Sequence, residues 1–213
     1  MAKLVDLSHP VGIGTEGYPG CAEIVGWRMQ KIELKRYNML HIGTDLHTGT
    51  HLDAPLHCVA GGLSTAELNL DDCAGPAWVI DLRAKGKAGS HFEVADFEPH
   101  AEAIRRTRRV IVKTGWSRLW ERAEFHENFP GFRRQAAQFL VDLGLRLIGV
   151  EQASIHPADH LAVHQVFFST GVVIVENLAS VEELPDGEVE FFAVPWRFRN
   201  GDGSPVRAFA RVG

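Results

Sequence analysis

The sequence has few of the features that mark secreted, membrane or nucleic-acid-binding proteins. Its 213 residues include three cysteines, too few for a disulfide framework. No stretch approaches the roughly 18 consecutive apolar residues that a transmembrane helix needs, and the start, MAKLVDLSHP, has no apolar signal core. Charges of one sign form no block, and the net charge is −5. We therefore expect a cytoplasmic protein that binds neither nucleic acid nor anionic membranes.

The sequence also has no internal repeat, no linker and no low-complexity segment. Its hydrophobic content of 45% is enough for a packed core, so residues 1–213 are expected to form a single domain. Apolar runs and helical periodicity mix without strict alternation, which predicts an α/β fold with a mixed sheet or partial barrel and outer helices. The clearest predicted helices are Arg133–Leu143 and Pro157–Phe168, and Val110–Lys113, Leu147–Val150 and Val172–Val175 are typical of buried strands.

Histidine is abundant, with 11 residues, and three histidines and one aspartate fall within HTGTHLDAPLH, residues 47–57. These side chains bind zinc or manganese. His47, His51 and Asp53 have the same parity, so an extended chain would direct all three to one face, whereas a helix would separate Asp53 from the histidines. The spacing therefore predicts a strand that ends at a metal, with Gly49 allowing close approach of the backbone.

The same motif resembles the signature of the cyclase family of metal-dependent hydrolases, which includes bacterial kynurenine formamidase and isatin hydrolase. The resemblance extends along nearly the whole chain, through Thr114-Gly115-Trp116, Phe129-Pro130-Gly131 and Ser204-Pro205-Val206-Arg207. It implies a compact α/β fold with a swivelling β/β/α-like core. It also implies a homo-oligomer, either a dimer or a tetramer.

A second candidate cluster lies further along the chain. Glu176 follows the apolar run Val172–Val175, where a carboxylate is costly to bury unless something pairs with it. In the resembled family, a histidine followed twelve residues later by glutamate completes the metal site, and His164 matches that spacing. The resemblance thus implies a metal site made by His47, His51, Asp53, His164 and Glu176. The ligand set suits one or two divalent ions, Zn²⁺ or Mn²⁺, with Asp53 bridging if there are two.

His57 ends the first motif, and the resemblance implies that it acts as acid and base; a third metal ligand and a structural role remain the alternatives. Tyr18 belongs to an aromatic-Pro-Gly segment that lies near the substrate in the family, although a plain turn explains the segment equally well. His160 lies one helical turn before His164, either as a support or additional ligand or as an exposed helix residue. Asp45 is a candidate to orient a ligand, and His156 has no assigned role.

These observations predict a hydrolase that cleaves the C–N bond of an amide by metal-activated water. The motif leaves the small-molecule substrate open among aromatic formamides, as for an arylformamidase, cyclic amides such as isatin or a lactam, and lactones. Two rival hypotheses remain at this stage. One is a non-catalytic metal-binding protein. The other is a thiol enzyme that uses Cys58, which adjoins His57, although neighbouring residues of an extended segment point in opposite directions.

Overall fold

The computed structural model describes residues 2–213, which contain thirteen strands and six α-helices. The strands are β1 Lys3–Asp6, β2 Val25–Gln30, β3 Met39–Gly43, β4 His51–Asp53, β5 Ala74–Asp81, β6 His91–Phe92, β7 Arg109–Lys113, β8 Gly131–Phe132, β9 Leu147–Val150, β10 Val173–Glu176, β11 Gly187–Phe192, β12 Gly203–Pro205 and β13 Phe209–Val212. The helices are α1 Ile32–Lys35, α2 Leu70–Cys73, α3 Val94–Phe97, α4 Ala101–Thr107, α5 Arg134–Asp142 and α6 His160–Phe168. Short 3-10 helices include Pro55–His57 and Trp116–Leu119.

Nine strands form one curled, mixed sheet in the order β1-β13-β11-β5-β7-β9-β10-β4-β12, which makes a half-barrel. The central strands β5, β7, β9 and β10 are parallel, and the pairs on either side of them are antiparallel. The predicted α/β fold with a mixed sheet or partial barrel is therefore confirmed.

The two faces of this sheet bury separate clusters, because alternate residues of a strand point to opposite faces. In β7, Val110 and Val112 join a cluster with residues of α4, α5 and α6, whereas Ile111 joins the cluster inside the curl, with residues of β1, β11 and β13. Both faces of the central strands are thus covered, which explains why these strands appear in the sequence as almost continuous apolar runs. Helices α4, α5 and α6 lie outside the sheet, as the sequence predicts, whereas Cys73 of α2 packs in the cluster inside the curl.

The sequence-based boundaries hold well for α5, which begins and ends one residue inside the predicted Arg133–Leu143. They are wrong for the start of α6, which begins at His160 and not at Pro157. The reason is a local contact: the Nδ1 atom of His156 accepts hydrogen bonds from the backbone N–H groups of Ala158 and Asp159, at 3.1 and 2.8 Å. This side chain holds the preceding turn in a non-helical conformation.

The strand predicted through the histidine motif is also partly wrong. Only His51–Asp53 forms a strand, and residues 46–50 form turns and bends in which Gly49 has φ of 69°. This left-handed conformation is readily available only to glycine, so Gly49 redirects the chain between the two histidines. The alternation argument therefore applies to His51 and Asp53, and not to His47.

Strands β2 and β3 form a separate two-stranded sheet, which we call the arm, with α1 at its turn. Its apolar side chains are largely exposed: Val25, Trp27, Met29, Ile32, Leu34, Met39, Leu40 and Ile42. No helix within residues 2–213 combines the length and the apolar character needed to cross a membrane.

Candidate metal centre

The site is assembled where β4 lies beside β10. The two strands are antiparallel, and their register places His51 opposite Glu176 and Asp53 opposite Ile174. His51 and Asp53 share one face of β4, while Leu52 between them packs inside the curl. Helix α6 directly precedes β10 in the chain and carries His164 on a buried position against the same face. The two distant sequence clusters therefore meet in space.

Nitrogen and oxygen atoms from these residues converge within a small volume. Asp53 Oδ1 lies 2.6 Å from His47 Nδ1 and 3.2 Å from His51 Nε2, and Asp53 Oδ2 lies 3.6 Å from His164 Nε2. Glu176 faces the same imidazoles, with Oε1 3.5 Å from His164 Nε2 and Oε2 3.6 Å from His51 Nε2. The structure thus brings together all five predicted ligands, and four of them are at least 95% buried, namely His51, Asp53, His164 and Glu176.

The orientation of two imidazoles shows that this set fits a cation. His51 Nδ1 lies 2.8 Å from the backbone oxygen of Gly49, and His164 Nδ1 lies 2.8 Å from that of His160. A carbonyl oxygen only accepts hydrogen bonds, so both Nδ1 atoms carry the proton and both Nε2 atoms of the neutral rings present lone pairs to the carboxylates. Facing acceptors need a positive charge between them. Backbone support of a ligating imidazole is the usual arrangement in metal sites.

The pKa values of His47, Asp53 and His164 also indicate that the site favours positive charge. Burial lowers the pKa of His164, but the carboxylates of Asp53 and Glu176 outweigh burial and raise it to about 10. Burial likewise opposes protonation of His47, and Asp53 and Asp202 raise its pKa to about 9. For Asp53, burial raises the pKa, but the adjacent imidazoles prevail and hold it well below its ordinary value. Protons therefore occupy the site when a divalent cation does not.

Two further residues, which sequence reasoning missed, contact the ligands. Ser154 donates a hydrogen bond from Oγ to Glu176 Oε1 at 3.0 Å. Asp202 places Oδ2 3.1 Å from His47 Nε2. Neither belongs to a recognisable spacing, since serine is common in loops and Asp202 lies 155 residues after His47. These contacts form because β9 pairs with β10 and β4 pairs with β12, and the sequence alone does not predict that pairing.

Gly203 explains how His47 reaches the site from a turn. A Cβ atom at Gly203 would lie 2.6 Å from His47 Cε1 and 3.0 Å from both ring nitrogens, so the ring rests against bare backbone. Strand β12 positions that backbone because Gly203 is paired with Asp53 of β4. Packing against a neighbouring strand therefore compensates for the loss of strand geometry at His47.

His57 ends the 3-10 helix Pro55–His57, and a ring nitrogen of His57 lies within 4.8 Å of ligand atoms of both Asp53 and His164. Its ring centroid is 4.2 Å from that of His47 and 5.6 Å from that of His164. Burial lowers the pKa of His57 from its ordinary value. The side chain is 33% exposed, far more than the buried ligands.

A cavity of about 240 Å³ opens directly onto these groups. Tyr18, Trp120 and His126 line its aromatic side, and Tyr18 meets His126 edge-on at a centroid distance of 5.9 Å. Tyr18 therefore lines the cavity beside the predicted ligands, and its contact with a substrate stays a prediction. Of the other large aromatics, Trp116 and Phe167 are buried in the core and Trp27 is exposed on the arm.

The remaining candidates have distinct positions. His160 is exposed and lines the cavity, whereas His156 stacks on His91 away from it. Asp45 accepts a hydrogen bond from the backbone N–H of Ala22 at 2.9 Å, so its observed partner is a backbone group and not one of the predicted metal ligands.

Burial raises the pKa of the Cys58 thiol to about 11. The thiol is therefore protonated at neutral pH, which argues against the thiol hypothesis.

Comparison with known proteins identifies the family of the chain. Residues 5–157 match the family described as "Putative cyclase". A kynurenine formamidase from Bacillus cereus is 34% identical, and the match covers 99% of this chain and 98% of that protein. The chain belongs to the cyclase family.

Solved structures extend the comparison to the fold of this cyclase-family chain. A structure titled as a potential metal-dependent hydrolase with cyclase activity has a TM-score of 0.79 and 28% identity, covering 99% of this chain and 98% of that one. Isatin hydrolase A from Labrenzia aggregata has a TM-score of 0.84, 23% identity and coverage of 99% and 94%. Because the sequence identity to isatin hydrolase A is only 23%, this similarity shows a shared fold alone.

Proposed function

We propose that this cyclase-family protein is a metal-dependent hydrolase that cleaves the C–N bond of a small aromatic or cyclic amide. The observation that carries the proposal is the convergence of imidazole Nε2 atoms and carboxylate oxygens on one buried point that opens into a cavity. A non-catalytic metal site is closed by protein ligands, whereas an adjoining cavity leaves room for water and substrate. The geometry therefore favours catalysis over a purely structural or sensing role.

One or two divalent cations, Zn²⁺ or Mn²⁺, are the cofactor in this proposal. Imidazole and carboxylate ligands suit both metals. Asp53 would hold one cation or two, because its Oδ1 faces His47 and His51 while its Oδ2 faces His164. A divalent cation held by these residues would polarise the amide carbonyl and would supply hydroxide from water near neutral pH.

His57 is the general base and general acid in this proposal: it transfers a proton from the attacking water to the amide nitrogen. Because burial lowers its pKa, the ring is neutral at pH 7 and accepts a proton from the attacking water. It then donates that proton to the amide nitrogen as the C–N bond breaks, while the oxygen of water joins the acyl carbon. The products are a carboxylic acid and an amine, so atoms and charge balance. Protonation matters because an unprotonated amide nitrogen is a poor leaving group.

The cavity supports an aromatic substrate. Its volume of about 240 Å³ exceeds the roughly 150 Å³ that holds benzene in an engineered apolar cavity, which leaves space for a ring and a small amide. Tyr18, Trp120 and His126 offer faces and edges for such a ring. Relatives named kynurenine formamidase support an aryl formamide, and the fold shared with isatin hydrolase supports a cyclic amide.

A substrate screen tests the proposal. The purified protein is stripped with a chelator, reloaded with Zn²⁺ or Mn²⁺, and assayed with N-formylkynurenine, isatin, simple lactams and lactones. Metal-dependent hydrolysis of an aromatic or cyclic amide is expected. Hydrolysis of lactones alone would replace amide cleavage with ester cleavage at the same site, and no turnover of any substrate by the metal-loaded protein would refute a hydrolase.

A homo-oligomer, either a dimer or a tetramer, belongs to the same proposal. The arm exposes Trp27 at 56%, Leu40 at 53% and Ile42 at 47%, a larger apolar surface than single scattered side chains. A second copy of this chain is the partner we propose, since an arm repeated on each copy allows two-fold pairing. Each copy in the proposed oligomer is a single domain of residues 1–213. The pairing of β1 with β13 in one sheet supports this, because these strands lie near the two ends of the sequence.

Molar mass in solution tests the oligomer. Light scattering coupled to size-exclusion chromatography is expected to give two or four times the 23.6 kDa chain mass. The Leu40→Glu variant is expected to dissociate, while Leu70→Glu, which places the same charge on an exposed leucine of α2, is the matched control. A parent protein that runs as a monomer at all concentrations would contradict this part of the proposal.

A further inference from the structure

Asp202 lies between two histidines that come from the first motif. Its Oδ2 atom is 3.1 Å from His47 Nε2 and 3.5 Å from His57 Nδ1. We propose that Asp202 is a positioning residue that holds the His57 imidazole in the orientation for proton transfer. The inference rests on the proposed amide hydrolysis and assigns a role to a residue outside the metal-binding motifs.

The backbone of Asp202 is hydrogen-bonded to the segment that carries His57. The backbone oxygen of Asp202 accepts a hydrogen bond from the N–H of Ala54 at 2.9 Å, one residue before the 3-10 helix Pro55–His57 begins. On the other side, Gly201 accepts from the N–H of Thr65 at 2.9 Å. Asp202 and His57 are therefore held by a common set of backbone hydrogen bonds, although they are far apart in sequence.

His57 needs such a partner because little else restrains its ring. Among residues 2–213, Asp202 is the one carboxylate within 4.0 Å of a His57 ring nitrogen. The neighbouring rings are His47 at 4.2 Å, His164 at 5.6 Å and Phe168 at 6.4 Å, measured between ring centroids. A side chain that is one-third exposed and lacks a polar partner can rotate towards solvent, which weakens proton transfer.

The contact also decides which nitrogen transfers the proton. With Nδ1 facing Asp202 Oδ2 at 3.5 Å, the negative charge of the carboxylate favours the proton on Nδ1, which leaves Nε2 as the exchanging atom. Nε2 takes a proton from the attacking water and returns it to the amide nitrogen, whose electron pair comes from the broken C–N bond. Asp202 stays ionised throughout and gains no proton. A carboxylate holds a catalytic imidazole in the required tautomer in the same way in serine hydrolases.

The test compares Asp202→Asn with Asp142→Asn, which makes the same change at an exposed aspartate of α5 that accepts a hydrogen bond from Gln138. Asparagine keeps the size of aspartate but removes the charge that fixes the tautomer. Asp202→Asn is expected to keep the parent's melting temperature and metal equivalents and to lower kcat on an amide by about 10- to 1,000-fold, with KM changed by less than about 3-fold. Asp142→Asn is expected to match the parent in every measurement.

Two further measurements separate positioning from a structural role. In a His57→Gln background, Asp202→Asn is expected to change kcat by less than about 2-fold, because a residue that acts only through His57 has nothing left to position. On an activated ester with the same acyl group, whose leaving group needs no proton, the loss is expected to be much smaller than on the amide. Equal losses on both substrates, or a full additional loss in the His57→Gln background, would overturn the inference.

The inference can also fail independently of amide hydrolysis. The ¹⁵N spectrum of the metal-loaded protein is expected to show the His57 ring, assigned with His57→Gln, with its proton on Nδ1, and Asp202→Asn is expected to remove that preference. An unchanged His57 signal would overturn the inference even if the parent hydrolyses amides. Loss of a metal equivalent in Asp202→Asn would instead make Asp202 a ligand, which also contradicts positioning.

Discussion

His51 and Glu176 stand opposite each other on the antiparallel strands β4 and β10, with His51 Nε2 3.6 Å from Glu176 Oε2. Directly opposed residues in such a pair have Cβ atoms about 4.5–5.5 Å apart, so strand pairing itself brings an imidazole to a carboxylate. A register shift of one residue would turn Glu176 to the other face of the sheet. The candidate metal centre thus depends on the register of one strand pair.

The first prediction concerns Asp53, which faces three imidazoles from a position that is 1% exposed. Asp53→Ala is expected to lose bound metal and activity together, because among residues 2–213 no other carboxylate faces all three of His47, His51 and His164. Elemental analysis of the purified variant measures this, with Asp142→Asn as the control for handling. Full metal occupancy in Asp53→Ala would show that Asp53 is not a ligand.

His57 is expected to behave differently from the ligands. His57→Gln should retain the parent's metal content and lose kcat by about 10²- to 10⁴-fold, the usual contribution of a general acid or base. Steady-state kinetics together with metal analysis measure both quantities on one sample. Unchanged turnover would exclude the proton role, and loss of metal would favour the third-ligand alternative.

Gly203 offers a test of the packing around His47. Gly203→Ala places a Cβ atom 2.6 Å from His47 Cε1, so the ring must move and metal affinity is expected to fall by at least about tenfold. Gly12→Ala is the matched control, because a Cβ atom there meets nothing within 4 Å. Competition titration with a chromogenic chelator compares the two variants. Equal affinities would mean that His47 contributes nothing to metal binding.

Metal binding is expected to release protons. In the metal-free protein the pKa values of His47 and His164 are about 9 and about 10, so both rings are protonated at pH 7, whereas a metal requires neutral nitrogens. Apparent Zn²⁺ affinity should therefore rise with pH between 6 and 8. Titration calorimetry in buffers of different ionisation enthalpy counts the protons. Zinc affinity that is flat across this range would contradict the assignment.

Chelation and thiol alkylation are expected to have opposite outcomes. A chelator should abolish turnover and added Zn²⁺ or Mn²⁺ should restore it, while iodoacetamide should leave activity intact because the Cys58 pKa is about 11. The assay uses a Cys21→Ser background, since the exposed Cys21 also lines the cavity. Inactivation by iodoacetamide in that background, with resistance to chelators, would restore the thiol hypothesis.

Short-range patterns in the sequence predicted several parts of the molecule correctly. The helical period of Arg133–Leu143 located α5 to within one residue at each end. The apolar run Val172–Val175 followed by Glu176 indicated a buried strand that ends in a carboxylate, which is β10. Such patterns are reliable because the periods of helices and strands are properties of a few consecutive residues.

The amino-acid sequence by itself determined the class of fold, the family and the residue types that converge on the metal centre, because ligand chemistry and local periodicity are written into short segments. Only the tertiary structure decided that His47 reaches the site from a turn against Gly203, that α6 starts at His160, and that Asp202 meets His57. These relationships depend on which strands become neighbours in the sheet. That order is set by the packing of the whole core, so no local spacing predicts it.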